Sequence, residues 1–295
     1  MFDYSQLHAL SVVIAQGSFE RAANILCITQ SAVSQRIKQL EERVGQTLVI
    51  RSNPVTATDF GKRLLRHFAQ VQLLEDELNH EIGYQDINVP VKVSIAVNAD
   101  TLATWFLPAL SSVFKRHGWL LELIIDDESH THHLLKTGDA VGCVTTTSKA
   151  LAGCSSDHLG DMRYLCVATP AFYQQYFADG VNRKTLAKAP AVVFNTKDLL
   201  HQKFLAQHFS MKPGQWVEHQ IPSSESFLEA IKLGMGYGLV SHLQAREWID
   251  SGDLIDMSPS SHMDVSLYWQ HWNIKAKHTS IIYRALASVA SKQLI

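Results

Sequence analysis

"CITQSAVSQRIKQLEERVGQTLVIR", residues 27–51, decides how the N-terminal part of the chain folds. Thr29 is a natural helix cap, and behind it Val33, Ile37, Leu40 and Val44 recur at helical spacing, giving one inward face. At 100° per residue, Ser31, Gln35, Lys38 and Glu42 point the other way, with Ser34 beside them. Short uncharged hydrogen-bonding groups come first and cations follow. That order suits a helix end that enters a narrow polar groove and meets charged walls further along.

Upstream, Leu7, Leu10, Val13 and Ile14 form an apolar stripe that ends at Gly17. Ser18 can cap a second short helix that turns Phe19, Ala22, Ala23 and Leu26 inward. Two short helices joined by a tight turn, the second carrying an outward polar face, predict a helix-turn-helix. Its partner is double-stranded DNA, entered through the major groove from the helix N-terminus. Gln30, Ser31, Ser34 and Gln35 lie nearest the bases and Lys38 nearer the phosphates, with Thr29 in the DNA-binding set at the helix cap, whereas Glu42 sits too far along. Glutamine pairs naturally with adenine. Arg36 is turned to the flank, where it would meet a phosphate or an intramolecular partner. Downstream, "TLVIRSNPVTATDFG" (47–61) predicts a two-stranded wing that sets Arg51 and the backbone at Pro54 against a phosphate or the minor groove. A structural salt bridge is the other reading of Arg51.

Charge agrees with this placement. Between Ser34 and Arg66 there are seven basic residues and three acidic ones, within a chain of formal net charge −2. Phe60, Leu64, Phe68, Val71, Leu74, Leu78 and Ile82 then keep helical spacing over a length that wants a second copy as partner. "GYQDINVP" (83–90) breaks that helix and predicts a hinge.

The chain of 295 residues exceeds one typical domain and is 46% apolar. No apolar run approaches the length of a membrane span, and the N-terminus lacks a signal pattern, so a cytoplasmic protein is expected. The cysteines, Cys27, Cys143, Cys154 and Cys166, show no CxxC spacing and read as reduced thiols. His130, His132 and His133 lack metal-ligand spacing and read as a solvated helix face, so no metal is expected. No G-x-S-x-G or H-E-x-x-H motif suggests an enzyme.

From Val91 onward, strand and helix signals alternate, which predicts parallel α/β units. The strands expected are 91–97, 120–126, 140–145, 163–169, 191–195, 237–242 and 265–269. Ligands in such sheets bind at strand ends. Those ends carry Asn98, Asp100 and Thr101, where helix-start amides would hold a carboxylate and Asp100 could alternatively be a cap. They also carry Asp126, Asp127 and Glu128, which would grip an ammonium or guanidinium, or else simply be solvated. Thr145, Thr146, Asn195, Ser224 and Glu225 complete the set. A carboxylate site and a cation site in one cleft specify an amino acid, a basic one.

The segment "FERAANILCITQSAVSQRIKQLEERVGQTLVIR" (19–51), with the later "TATDFG" (56–61), resembles the LysR-type transcriptional regulators. Gln35 and Arg36 stand where that family more often has Arg then Gln. "AVNADTLATWFLPAL" (96–110) and "DDESHTHHLLKTGDAVGCV" (126–144) are similar to its arginine- and lysine-responsive branch. The resemblance covers essentially the whole chain. It implies a winged helix-turn-helix (1–58), a linker or dimerisation helix (59–82), a hinge (83–90) and an effector-binding domain (91–295). That domain would have two α/β lobes like a periplasmic solute-binding protein, lobe I about 91–164 and 270–295 and lobe II about 165–269. It implies a homodimer or homotetramer on an interrupted palindrome, an L-lysine or L-arginine effector with no other cofactor, RNA polymerase as partner when activating, and control of amino acid export or metabolism. The alternatives are a ligand-independent DNA binder in replication control and a family member with another effector.

Overall fold

The computed structural model describes residues 2–82, 91–125, 134–135, 139–196, 199–273 and 277–295. Asp3 caps α1 (Tyr4–Gln16), accepting from the Ser5 amide at 2.9 Å, and Gly17 at φ 60° ends it by donating to the Ile14 carbonyl. The left-handed turn that stops the helix is one that glycine enters without a Cβ clash. Ser18 caps α2 (Phe19–Ile25) and Thr29 caps α3 (Gln30–Val44), the latter accepting from the Ala32 amide at 3.2 Å. Leu7, Leu10, Ile37 and Leu40 are fully buried together, and a second cluster holds Val13, Ala22, Ala23 and Val33. The two alanines let α2 approach α3 closely.

The wing is the antiparallel pair β1 (Val49–Ile50) and β2 (Thr56–Ala57), with Val49 opposite Ala57. Glu41, on the last turns of α3, accepts from the Leu48 amide at 2.8 Å and the Val49 amide at 3.4 Å, tying wing to helix. Thr58 caps α4 (Asp59–Glu81) by accepting from the Gly61 amide at 3.1 Å. A Cβ on Gly61 would fall on the Leu48 carbonyl oxygen, so only glycine lets α4 start this close to β1. The apolar stripe of α4 divides in two. Leu64 and Phe68 bury themselves in the helix-turn-helix core, whereas Leu74, Leu78 and Ile82 stay exposed within the chain. Phe60, at the start of the helix, is exposed as well. The expected hinge at 83–90 lies outside the described residues.

The effector region opens with β3 (Lys92–Val97), followed by α5 (Ala99–Thr101), a π-helical turn (Leu102–Phe106) and α6 (Leu107–His117). Then come β4 (Leu120–Ile125), β5 (Gly142–Thr145) and the long β6 (Cys154–Ala168). The next elements are α7 (Pro170–Phe177), α8 (Arg183–Leu186), β7 (Ala191–Val193), α9 (Leu199–Phe209), β8 (Glu218–Gln220), α10 (Ser224–Lys232) and β9 (Gly238–Ser241). The chain continues through α11 (His242–Ser251), β10 (Ile255–Asp256), β11 (Met263–Trp272) and α12 (Lys277–Gln293).

Parallel pairing holds for β3 with β4 and β5, and for β7 with β8. The strands β6 and β11 depart from it, pairing antiparallel with each other from Cys154↔Trp272 to Tyr164↔Met263. The C-terminal part of β6 goes on to pair with β9 and β10. The expected strand from Arg163 therefore begins nine residues earlier. Its first half, "CSSDHLGDM", is mostly polar and buries only Leu159 and Met162, so hydrophobic runs do not reveal it, and pairing with β11 supplies the ladder. A register shift at Leu267/Tyr268, beside Gly160 at φ 134°, is the irregularity in this ribbon. Trp269 on β11 is fully buried, and its indole lies where a Cβ on Gly142 would stand. Among the described residues no helix is long and apolar enough to cross a membrane.

Candidate functional sites

The outward face of α3 is as the spacing predicts. Gln30, Ser31, Gln35 and Lys38 are exposed and Ser34 half-buried, while Val33, Ile37 and Leu40 are buried. Thr29 is committed to the cap. Lys38 pairs with Glu42 at 3.7 Å, both largely exposed, a contact weak enough for a phosphate to replace. Arg36 turns to the flank, where its charge acts on Asp3; hydrogen bonds from Ser5 first, and Arg36 last, hold the Asp3 carboxyl below its ordinary range. Arg51 is exposed and lies over the Phe19 ring at 5.4 Å, a cation–π contact in place of the alternative salt bridge. Pro54 packs at Gly17, and the Val55 amide donates to the Gly17 carbonyl at 2.9 Å. The wing is thus fixed at two places: at α3 by Glu41 and at the α1–α2 turn by Arg51, Pro54 and Val55. Glu41 escaped the sequence reading because its role depends on the wing folding back.

In the effector region, Asp100 and Ser224 are brought together although 124 positions separate them. Asp100 Oδ1 accepts from Ser224 Oγ at 2.7 Å and Oδ2 accepts from Tyr164 Oη at 2.9 Å. Gln244 Nε2 donates to Ser224 Oγ at 3.1 Å, and Ser241 Oγ donates to Gln244 Oε1 at 3.0 Å. Ser241 is the cross-strand partner of Tyr164, so the chain of five side chains is closed into a ring through the backbone ladder of β6 and β9. Tyr164 and Gln244 carry no local signal in the sequence; Ser241, ending a strand, could have been found by the same rule that found Ser224.

The cap of α5 is Asn98, whose Oδ1 accepts from the Thr101 amide at 2.9 Å, so Asp100 is not a cap. This corrects two expectations. The Thr101 amide is taken by Asn98 and the Leu102 amide by the Asn98 carbonyl, so these helix-start amides do not face a ligand carboxylate. Thr101 itself is fully buried. Thr145 is fully buried too, and its Oγ1 accepts from the Thr147 amide at 3.3 Å, shaping the turn after β5. Gln270, unforeseen, holds the same loop by donating to the Thr147 and Lys149 carbonyls at 2.8 and 3.0 Å. Thr146 and Asn195 are half-buried at their strand ends. Glu225 is exposed and accepts from Ser223 Oγ at 3.3 Å, so its carboxylate stays at the start of its own helix. Asp126, Asp127 and Glu128, with the three histidines after them, lie outside the described residues.

Chemically, the ring presents one carboxylate with neutral hydroxyl donors on both oxygens, one of them from Ser224, the first residue of α10. The partial positive charge of a helix N-terminus favours an anion there. A carboxylate held in this way is an acceptor of the kind an ammonium or guanidinium pairs with. An open groove of about 370 Å³, lined by residues such as Asp157, His271 and Arg284, is a different place. Asp157 lies seven residues from Tyr164 along β6, roughly 23 Å at strand rise. The three thiols of the effector region are poorly suited to chemistry. Burial raises Cys166, and raises Cys143 to about 12, while Cys154 is raised as well.

Comparison with known proteins agrees with both halves. Residues 4–62 match the family described as "Bacterial regulatory helix-turn-helix protein, lysR family", and residues 92–274 match the "LysR substrate binding domain". The chain is 44% identical over 292 residues to the HTH-type transcriptional regulator ArgP of Vibrio parahaemolyticus serotype O3:K6, covering 99% of this chain and 98% of that protein. Among solved structures, ArgP from Mycobacterium tuberculosis superposes with a TM-score of 0.89 at 39% identity, covering 100% of this chain and 99% of that one. Full-length LysG from Corynebacterium glutamicum with bound effector Arg gives 0.81 at 35% identity, with 99% of each chain covered. With its winged helix-turn-helix and two-lobed α/β domain matched end to end, the chain belongs to the LysR family of DNA-binding transcriptional regulators.

Proposed function

We propose that the effector of this regulator is a basic amino acid, L-arginine or L-lysine, bound between the lobes. The observation that carries this is the Asp100 carboxylate held between Tyr164 and Ser224, an anionic acceptor that bridges the lobes. The bound Arg of the Corynebacterium relative supports it, as does the ArgP designation of the Vibrio relative. A ligand-independent role in replication control gives no reason for such a cleft. Asn98, Thr145, Thr146 and Asn195 would shape the site around Asp100 and Ser224, with Asp126, Asp127 and Glu128 as further acids.

On DNA, Gln30, Ser31, Ser34 and Gln35 would read bases, while Lys38, Arg51 and the backbone at Pro54 would meet phosphates or the minor groove. The exposed Leu74, Leu78 and Ile82 fit a homodimer or homotetramer through α4, which would present two reading helices to an interrupted palindrome. RNA polymerase would be contacted when the regulator activates, and genes of amino acid export or metabolism would be its targets. The domain boundaries given above go with this proposal.

The test is thermal unfolding against the twenty amino acids, with a polyamine as a cation-only control. A ligand at 100 times its dissociation constant adds about 2.7 kcal/mol. A shift confined to L-arginine and L-lysine is expected. A shift with the polyamine alone, or with no amino acid at all, would refute the effector assignment.

A further inference from the structure

The ring around Asp100 has a direction. Ser241 donates to the Gln244 carbonyl oxygen, the Gln244 amide donates to Ser224 Oγ, and Ser224 donates to Asp100. A hydroxyl that receives a proton donor is a better donor in turn, so the chain strengthens toward the carboxylate. Among the described residues in the ring, Asp100 alone follows β3. Tyr164 is on the crossing strand, Ser224 and Gln244 are at the starts of α10 and α11, and Ser241 ends β9. Every connection from Asp100 to α10 in this ring passes through Ser224. A hydroxyl can donate or accept, and which it does at Ser224 is decided by what Gln244 offers. The Gln244 nitrogen lies 3.1 Å from Ser224 Oγ and its oxygen 3.5 Å, so the nearer atom offers a donor and the Ser224 proton goes to Asp100, the much closer acceptor at 2.7 Å.

We infer that Gln244 is the positioning residue for a latch, the Ser224–Asp100 bond, that joins the two lobes before any effector arrives. It fixes Ser224 as a donor to Asp100 and so presets the carboxylate for a cationic ligand. The latch rests on the cleft assignment for its purpose, but not for its existence. A glutamate at 244 would offer two acceptors and no donor. Ser224 would then turn its proton to residue 244, and two carboxylates would face one another across a single hydroxyl.

The experiment is amide hydrogen exchange on the full chain without effector, read at the segment 99–102 and the first turn of α10. Gln244→Glu is expected to speed exchange at both about five- to tenfold, the scale of one net hydrogen bond lost. Ser224→Ala and Gln244→Leu should each do less, and the double variant should exchange no faster than Ser224→Ala alone. Exchange in α1–α3 and at the centre of β6 should stay as in the wild type, which shows that the variants are folded. Additive effects of Ser224→Ala and Gln244→Leu would show that Gln244 acts only by packing and would overturn the inference. So would Gln244→Glu exchanging like the wild type at 99–102. Since no ligand is present, a wild type that fails to bind L-arginine yet shows the coupled exchange would sink the effector assignment and uphold the latch.

Discussion

Replacing Glu41 tests whether the wing is held by a carboxylate. Its acceptor bonds reach the Leu48 amide at 2.8 Å and the Val49 amide at 3.4 Å. Leu48 is 0% exposed and Val49 3%, so amides robbed of the carboxylate have little water to turn to. The shorter bond is charge-assisted and the longer one adds little. Leaving a buried donor unmet costs more than the bond itself contributes, so Glu41→Ala should destabilise the N-terminal region by about 2–3 kcal/mol. Glu41→Gln keeps an acceptor oxygen and should cost about 1 kcal/mol. Glu42→Ala is the control: it removes a neighbouring carboxylate whose partner Lys38 is solvated, and should stay within about 0.5 kcal/mol of wild type. The assay is urea unfolding with exchange of the Leu48 and Val49 amides read alongside, because a multidomain chain need not unfold in one step. Glu41→Ala matching Glu42→Ala in both measurements would refute the reasoning.

Three further outcomes follow from particular contacts. Gln35→Ala is expected to cost about 1–3 kcal/mol at a cognate site and to relax specificity there, measured as the ratio of cognate to non-specific affinity at fixed salt; an unchanged ratio removes Gln35 from the reading set. Gly142→Ala drives a methyl into the indole of fully buried Trp269 and should destabilise the effector domain by about 1–3 kcal/mol in thermal unfolding, whereas a neutral result would mean that the indole can move aside. His201 is almost fully buried, and burial lowers its pKa from 6.5 to about 4. The unfolded chain therefore binds the proton more readily, so the stability from this group is complete above pH 6.5 and falls away down to about pH 4. The whole loss is roughly 3 kcal/mol. His201→Phe should flatten the stability profile across that window, and a profile unchanged from wild type would show that another group titrates there.

Local chemistry was legible and long-range pairing was not. Ser18, Thr29 and Gly17 act within a few residues of themselves, and each does what its type predicts. The inward face of α3 follows from a period alone. Asp100 was singled out for standing at a strand end, but its partners lie 64 and 124 positions away, and no spacing announces them. Asn98 and Asp100 are both good caps, and a sequence cannot say which one the backbone will use. Thr101 and Thr145 stand at strand ends, where ligands bind, yet both turn into the packed interior. The polar half of β6 was missed for a related reason: its ladder is supplied by β11, more than a hundred residues later.

The unbroken ribbon of β6 and β11 has a mechanical corollary. At the proposed crossings between lobes the chain runs in paired strands of 15 and 10 residues, whose ladder shifts at Leu267/Tyr268, and not in loops about which the proposed halves would swing like a clamshell. Around 160–163 and 264–267 these two strands pair only with each other, between the stretch of β11 that also pairs with β5 and the stretch of β6 that also pairs with β9. A ladder that narrow carries the largest twist. The lobes should therefore wring against one another through small angles, and α4, which joins the reading helix to this region in sequence, would have to turn a small torsion into a useful displacement by its length, about 35 Å for its 23 residues.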